Sequence, residues 1–282
     1  MVATGQGLVV LALGFFGLAA LASNARPTKP TPPSRPTNPT IFLAMYGTPM
    51  VDIVETRLKR YIQPQDIMYV NSGGTGALNM PWVNNTIARL FRTFPANIIV
   101  ASTSGHKNLN ILASQVSPAI ERIAYNYEPN YTNIPEFSWD FETTLDNMRE
   151  AKLIAQTYGK TLMVSPTGRP LLTTIKGVQY NWDYAVIGQQ VDFQIIQTQT
   201  YCKPNGASFQ DAITKLVSQY KGKFDSWAPQ VTTSLADTNG VSAQEGYECT
   251  LEAFDAGVSS ISLWWHSNTP EYVEEYLSLL GR

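Results

Sequence analysis

Short apolar runs rich in β-branched and aromatic residues alternate with longer segments of mixed polarity throughout residues 41–282. The runs predict eight strands: Ile41–Tyr46, Ile67–Asn71, Asn97–Ser102, Glu136–Glu142, Thr161–Ser165, Phe193–Tyr201, Gln230–Leu235 and Ser259–Trp265. Between the runs, apolar residues recur about every 3.6 residues, which predicts helices. The clearest of these helical segments are Leu145–Tyr158, Ala207–Tyr220 and Pro270–Leu280.

Strands that alternate with helices of crossover length indicate parallel βαβ units. Eight such units in about 240 residues predict an α/β fold of the (β/α)₈ barrel type over residues 41–282. A doubly wound open sheet is the alternative, but the glycine-rich phosphate-binding turn expected after its first strand is absent. The glycine-rich segment Ser72–Gly76 follows the second strand and has no P-loop lysine, so we interpret it as a loop.

The segment that precedes the barrel predicts export. Gly7–Ala22 contains 16 residues without a charge, and Ala20-Leu21-Ala22 forms a cleavage pattern, so residues 1–25 are expected to be a signal peptide or membrane anchor. The positive charges follow this segment, an asymmetry that would place the barrel on the cytoplasmic side if the segment stayed in the membrane. Residues 26–40 contain six prolines and are expected to be an extended linker. We therefore expect a protein that is secreted or held at the extracellular surface.

Composition narrows the class of ligand. Charged residues make up 15% of the chain, against about 25% in typical globular domains, and the net charge is −2. Without a basic cluster beyond Lys59-Arg60, nucleic acid is not the expected partner. Two cysteines are too few for a cysteine-based zinc site, and two histidines leave little for a histidine-rich metal centre. We therefore expect neither a metal nor a cofactor. Cys202 and Cys249 could form one disulfide or remain two separate buried thiols.

The predicted fourth strand carries the strongest candidate chemistry. Barrel enzymes react at the C-terminal ends of their strands. Ser138, Asp140 and Glu142 alternate along this predicted strand and would share one face. Two carboxylates ~6–7 Å apart would repel each other and keep one of them protonated, which is the arrangement that glycoside cleavage requires. The alternative is that Asp140 and Glu142 lie at the start of the following helix and cap it.

Other polar and aromatic residues at strand ends are candidates for sugar binding. Gln197, Gln199 and Tyr201 alternate on strand 6, and alternation allows one of Trp264 and Trp265 to face the barrel as an aromatic floor for a sugar ring. The remaining candidates for substrate binding are Tyr46, Asn71, Ser102 and Asp237. The glutamines could instead form an internal network, and the tryptophans could belong to the core.

Taken in order, these segments resemble glycoside hydrolase family 18, the chitinase and endo-β-N-acetylglucosaminidase barrels. That family carries S-x-G-G on strand 3, D-x-x-D-x-D-x-E on strand 4, Q-x-M-x-Y on strand 6 and a tryptophan on strand 8. Here strand 3 reads STSG from Ser102, strand 4 reads PEFSWDFE from Pro135, and strand 6 reads QTQTY from Gln197. Pro135 and Ser138 replace the first two aspartates, and Ser104 and Gln199 replace a glycine and the methionine.

The resemblance implies a role for each matching residue. Glu142 would protonate the glycosidic oxygen, and Asp140 would orient the N-acetyl group of the substrate as it attacks the anomeric carbon. Tyr201 would hold the carbonyl of that group, and a strand-8 tryptophan would form the floor. The mechanism would be substrate-assisted retention. Because Ser138 replaces an aspartate that would tune Asp140, loss of turnover is a second outcome that this pattern allows.

Two further functions compete with an N-acetylhexosamine-specific hydrolase. One is a catalytically silent barrel that binds a glycan or cell-surface polysaccharide, or serves as a structural surface protein. The other is a hydrolase of a different type that pairs Glu142 with Asp237. Family 25 lysozymes also place Asp-x-Glu on strand 4, but they have an additional aspartate on strand 1, where this chain reads Ala44-Met45-Tyr46-Gly47.

Overall fold

Eight parallel strands form a closed barrel in the computed structural model, which describes residues 34–72, 78–129, 134–202, 207–221, 223, 225–233 and 240–282. The barrel strands are β1 (Thr40–Met45), β2 (Ile67–Asn71), β3 (Ile98–Ser104), β4 (Arg122–Tyr127), β5 (Thr161–Pro166), β6 (Phe193–Ile196), β7 (Trp227–Thr232) and β8 (Ser260–Trp264). Each strand pairs with its neighbours in sequence order, and β1 closes the ring against β8. The predicted (β/α)₈ fold is confirmed.

Eight α-helices of the described chain surround this ring: α1 (Thr48–Ile53), α2 (Met80–Thr93), α3 (His106–Gln115), α4 (Phe141–Thr157), α5 (Tyr184–Gly188), α6 (Ala207–Tyr220), α7 (Ala243–Asp255) and α8 (Pro270–Leu279). Several begin with the local signals expected of helix N-termini. Ser242 and Glu245 form a capping box at the start of α7, and Asp183 accepts hydrogen bonds from two backbone N–H groups of α5. A short hairpin (Thr174–Ile175 and Val178–Gln179) lies between β5 and α5.

The barrel has two apolar layers because successive strand residues face opposite sides. The outer layer packs strands against helices and contains most of the buried core. The inner layer fills the lower part of the ring and consists of Phe42, Ala44, Ile67, Tyr69, Val100, Ala124, Met163, Ile195 and Ala228. Nearer the C-terminal ends of the strands, many inward-facing residues of the described chain carry amide or hydroxyl groups, and Glu128 carries a carboxylate. The floor of any site at the C-terminal end is therefore apolar and its walls are polar.

The predicted fourth strand is wrong. The observed β4 is Arg122–Tyr127, and the segment predicted as a strand, Glu136–Glu142, forms turns and the first residues of α4. Asp140 is the N-cap residue of α4, and its side chain accepts a hydrogen bond from the backbone N–H of Thr143. Of the two interpretations of this segment, helix capping rather than an inward-facing strand is the one observed, with Asp140 as the cap of α4. The predicted strand 6 was also too long, since Gln199–Tyr201 forms a 3₁₀ turn beyond β6.

Two long-range contacts tie the barrel together. Asp66, which precedes β2, forms a buried ion pair with Arg282 at 2.7 Å and also accepts hydrogen bonds from Ile41 and Gln63. Burial is the largest influence on the Asp66 carboxyl and raises its pKa, although Arg282 and the hydrogen bonds act in the opposite direction. Cys202 and Cys249 form a disulfide between the end of the β6 loop and α7. Of the two alternatives for these cysteines, the structure contains the bonded one.

The N-terminal predictions fall outside this description. The segment Gly7–Ala22 and most of the proline-rich linker lie in residues 1–33, and the glycine-rich segment after β2 lies largely in 73–77. In the described chain, no helix combines the length and the apolar character that crossing a membrane requires. Export and membrane attachment therefore stay predictions.

Candidate functional site

A cavity of about 280 Å³ opens at the C-terminal end of the barrel. Its walls are formed by residues from the ends of β1, β2 and β4–β8 and from the loops that follow them. The lining residues are Ala44, Tyr69, Asn71, Asn126, Glu128, Pro129, Ser165, Thr167, Arg169, Ile195, Gln197, Gln199, Thr200, Gln230, Ser262, Trp264 and His266. This is the end at which barrel enzymes bind their substrates.

Glu128 and Asn126 stand at the end of β4, on the face that points into the cavity. The amide Nδ2 of Asn126 donates a hydrogen bond of 2.7 Å to Oε1 of Glu128. Gln197, at the end of β6, donates from Nε2 to Asn126 Oδ1 at 2.8 Å and to the carbonyl oxygen of Ser165 at 2.9 Å. Because a carbonyl oxygen can only accept, this series of hydrogen bonds fixes the orientation of each side-chain amide. Gln197 donates to Asn126, and Asn126 in turn donates to Glu128.

A second network supports the floor of the cavity. The hydroxyl of Ser102 donates to the hydroxyl of Tyr69 at 2.8 Å, and Tyr69 lies 3.1 Å from the hydroxyl of Ser165. Burial raises the pKa of the Tyr69 phenol, so this ring stays neutral and acts as a hydrogen-bonding group. Gln230 donates to Ser262 on the opposite wall at 3.3 Å.

Aromatic side chains form the wall at β8 and β1. Trp264 lines the cavity and stacks on Tyr46 with ring centroids 5.0 Å apart. The Tyr46 hydroxyl lies 2.6 Å from Nδ1 of His266 and 2.9 Å from the carbonyl oxygen of Trp265. A flat indole held by a stacked neighbour is suited to contact the apolar face of a sugar ring.

The two predicted catalytic carboxylates do not face this cavity. Asp140 and Glu142 lie at the start of α4, and both are exposed. The backbone N–H and the hydroxyl of Thr143 donate to the Asp140 carboxylate and hold its pKa below the usual value. The premise that these residues alternate along a strand is wrong, because their backbone is the N-terminus of a helix. The carboxylate of Asp140 serves that helix end.

The other predicted site residues divide between the cavity and its support. Asn71, Gln197, Gln199 and Trp264 line the cavity. Of the two tryptophans, Trp264 is the one that faces the cavity. Trp265 is fully buried and donates from Nε1 to the carbonyl oxygen of Ala44. Ser102 lies below the cavity wall, and Tyr46 lies behind Trp264. Asp237 is outside the described residues.

Tyr201 points away from the cavity. Its hydroxyl lies 3.0 Å from the carbonyl oxygens of both Gly168 and Arg169, and it accepts a hydrogen bond from the backbone N–H of Leu172. The turn at Gln199–Tyr201 rotates the phenol out of the strand alternation on which its predicted role depends. Tyr201 therefore holds the loop after β5, and the role of binding a substrate carbonyl does not fit its position.

Sequence reasoning missed Asn126, Glu128 and Arg169. A signal was present for the first two, because Glu121, Ala124, Asn126 and Glu128 have the spacing of the strand-4 motif D-x-x-D-x-D-x-E. Only the final glutamate is retained on this register, whereas the segment from Pro135 retains both an Asp and a Glu. Literal identity to the motif therefore favoured the wrong segment. Within the described residues, no three side chains of His, Cys, Asp or Glu form a group that could hold a metal ion.

The sequence matches no family model and no curated protein, but solved structures share the fold. A class V chitinase from Pseudomonas fluorescens Pf-5 is 14% identical with a TM-score of 0.58, and the match covers 86% of this chain and 99% of that one. The PgaB (BpsB) glycoside hydrolase domain from Bordetella bronchiseptica is 9% identical with a TM-score of 0.60, covering 86% and 98%. A GH18 chitinase from Pseudoalteromonas aurantia is 12% identical with a TM-score of 0.54, covering 85% and 98%. The expected resemblance to family 18 barrels is confirmed as a likeness of fold.

Proposed function

We propose that this barrel is a glycoside hydrolase that acts on N-acetylhexosamine-containing glycans, with Glu128 as the proton donor. The observation that carries the proposal is the position of Glu128 at the end of β4, inside the polar cavity and next to Asn126. Two features of the same cavity support it, the amide-rich walls and the indole of Trp264. The fold, which is shared with proteins described as chitinases and as a glycoside hydrolase domain, also supports it.

The proposed reaction starts with proton transfer from Glu128 to the glycosidic oxygen. The acetamido oxygen of the substrate then attacks the anomeric carbon while the protonated glycosidic C–O bond breaks and the leaving sugar departs as an alcohol. The Glu128 carboxylate takes a proton from the water that opens the resulting ring, which restores the acid and gives retention of configuration. Asn126 orients the acetamido group by hydrogen bonding, in the place where the family has an aspartate. Gln197 in turn holds Asn126, because it donates to Asn126 Oδ1 and is itself fixed by Ser165.

The acetamido group is the part of the substrate that the cavity fits best. Asn71 and Gln199 line it together with Asn126 and Gln197, so the wall is rich in side-chain amides. Each amide group can both donate and accept hydrogen bonds. A sugar with an acetamido group, which has an N–H donor and a carbonyl acceptor, matches such a wall.

A second candidate function is glycan binding without turnover. It is favoured by Ala124 and Asn126, which occupy the positions of two motif aspartates on the register of β4. Ala124 is completely buried in the inner apolar layer, so the motif position next to Asn126 on this face of β4 supplies no carboxylate. A neutral amide also cannot balance the positive charge that develops on the acetamido group.

One experiment separates the two functions. Wild-type protein and Glu128→Gln would be incubated with chitin oligomers, with product release followed by mass spectrometry and binding by calorimetry. If the protein is a hydrolase, wild type should cleave the oligomers, and Glu128→Gln should bind them without cleavage. Binding by both proteins without any product would establish the second function. The absence of both binding and cleavage would exclude both functions for these glycans.

We also propose that the barrel works outside the cytoplasm. The Cys202–Cys249 disulfide supports this location, since such bonds persist in oxidising compartments. Labelling of thiols in protein isolated from its native source should detect neither cysteine before reduction and both after it. Two free thiols in freshly isolated protein would contradict the proposed location.

A further inference from the structure

Arg169 is a cation in the cavity wall that the proposed reaction does not use. It follows β5, is half-buried and lines the same cavity as Glu128. Its guanidinium makes no hydrogen bond or ion pair within the described ranges. Five of the other eight arginines of the described chain pair with carboxylates: Arg35, Arg57, Arg89, Arg149 and Arg282. Arg169 is thus a partly desolvated charge that faces the space where a substrate would bind.

The backbone that carries Arg169 is held firmly by buried groups. Gly168 donates to the carbonyl oxygen of Gln197 at 3.2 Å, and a Cβ atom on Gly168 would lie 2.4 Å from that oxygen, so only glycine allows this approach. The Tyr201 hydroxyl contacts the carbonyl oxygens of Gly168 and Arg169, and the Lys215 ammonium donates to the carbonyl oxygen of Leu171 at 2.7 Å.

All these contacts use the backbone around Arg169 and leave its guanidinium to the cavity. A charged group on a fixed backbone is preorganised, so less ordering free energy is spent when a ligand binds. The role of Tyr201 is explained in the same way. It acts as a positioning residue for the Arg169 turn.

A guanidinium binds planar or tetrahedral anions with paired hydrogen bonds, and it does so most strongly where water is partly excluded. We propose that Arg169 binds an acidic group on the glycan, so that the preferred substrate carries a carboxylate or a sulfate on one of its sugars. This inference deepens the proposed hydrolase function and rests on it. The neutral amides and hydroxyls of the wall then bind the remaining part of the sugar.

The test compares matched substrates. Neutral chitin oligomers, oligomers of the same length that contain N-acetylmuramic acid, and sulfated oligomers would be assayed with wild type, Arg169→Gln and Arg169→Lys. The control is Arg149→Gln, which removes an exposed arginine of α4 that pairs with Asp146. We expect wild type to prefer one of the two acidic substrates, and that preference identifies carboxylate or sulfate as the bound group.

The Arg169→Gln variant should lower the ratio of kcat/KM for the acidic substrate to that for the neutral one by about tenfold or more, the loss expected for a charge-assisted hydrogen bond. Arg169→Lys should retain part of this preference, and Arg149→Gln should retain all of it. An equal loss on neutral and acidic substrates would overturn the inference, as would a wild-type protein without any preference.

Binding measured in the Glu128→Gln background keeps this inference distinct from the proposed catalysis. In that background, the acidic oligomer should bind more tightly than the neutral one, and the difference should shrink at high salt and disappear with Arg169→Gln. If wild type cleaves no substrate while this preference persists, the hydrolase proposal fails and the acidic glycan remains the ligand. If wild type cleaves neutral oligomers and the preference is absent, the acidic ligand fails alone.

Discussion

Two short segments of this chain have the same pattern of a polar residue, an aromatic residue and a glutamate. Asn126-Tyr127-Glu128 comprises the last two residues of β4 and the residue that follows, and its first and third side chains face the cavity. Asp140-Phe141-Glu142 begins α4, and its two carboxylates are exposed. The difference comes from the backbone: two parallel neighbours pair with β4, whereas Thr143 donates its backbone N–H to Asp140. The same side-chain pattern becomes a site in one context and a helix cap in the other.

The largest effect should come from removing the glutamate of each segment in turn. Glu128→Gln should lower kcat by about 10²–10⁴-fold, the usual contribution of a positioned general acid. The matched change Glu142→Gln should leave turnover unaltered, because this side chain is exposed at the start of α4. Steady-state kinetics on the same glycan checks both. If Glu142→Gln abolished activity while Glu128→Gln did not, the assignment of the site would be reversed.

The side chain of Tyr127 links β4 to the turn before α4, and removal of its hydroxyl should affect stability. The buried hydroxyl of Tyr127 accepts hydrogen bonds from the backbone N–H of Ser138 at 2.9 Å and from Asn147 Nδ2 at 3.1 Å. Tyr127→Phe leaves these donors without that acceptor and should lower the free energy of unfolding by about 1–3 kcal/mol.

Denaturant unfolding measures this loss. The control Tyr158→Phe removes a hydroxyl that bonds to Asn110 at the surface, and it should cost less than about 0.5 kcal/mol. Equal losses in the two variants would show that the link between β4 and the start of α4 carries no special stability.

Replacing Asn126 by aspartate tests what the first position of the β4 segment contributes. Two carboxyl groups at hydrogen-bonding distance would share a proton, which favours the protonated form that a proton donor needs. If the hydrolase proposal holds, Asn126→Asp should raise kcat by roughly tenfold, since it also supplies the negative charge that an amide lacks. Turnover that stays the same or falls would argue that the amide is the residue this site requires.

The smallest effect should come from the first position of the α4 segment. Asp140→Ala removes an N-cap and should lower Tm by about 2–4 °C at neutral pH without changing activity. Because the native pKa of Asp140 is lowered, its charged form contributes stability above the ordinary carboxyl range, and this contribution is lost as pH falls through the native pKa.

The Tm difference between wild type and Asp140→Asn should therefore be larger at pH 7 than at pH 3. Melting curves at the two pH values check this, and Gln156→Ala, a substitution of an exposed and uncharged residue on the same helix, provides a comparison. A difference that grows on acidification would contradict the lowered pKa.

Much of this architecture was predictable from the chain, because βα alternation depends on local periodicity. Seven of the eight predicted strands overlap observed strands, and Ala207–Tyr220 has the bounds of α6. Asn71, Gln197 and Trp264 were also expected at the inner face of strand ends and do line the cavity, since inward and outward positions alternate along a strand. Gln199 lines it as well, although it lies in the 3₁₀ turn beyond β6. The fourth strand was missed because Arg122–Tyr127 contains an arginine and an asparagine among its aromatic residues, whereas the later segment carries the acidic residues that resemble the motif.

The chain by itself determined that apolar runs and amphipathic segments alternate eight times, and therefore that a barrel forms with its polar strand ends together. The tertiary structure decided which residues occupy the cavity. Glu128 faces inward because β4 is hydrogen-bonded on both sides, and Tyr201 faces outward because a 3₁₀ turn ends the alternation after β6. Strand pairing and loop geometry depend on residues far apart in the chain, so neither is encoded in the local pattern that surrounds a candidate side chain.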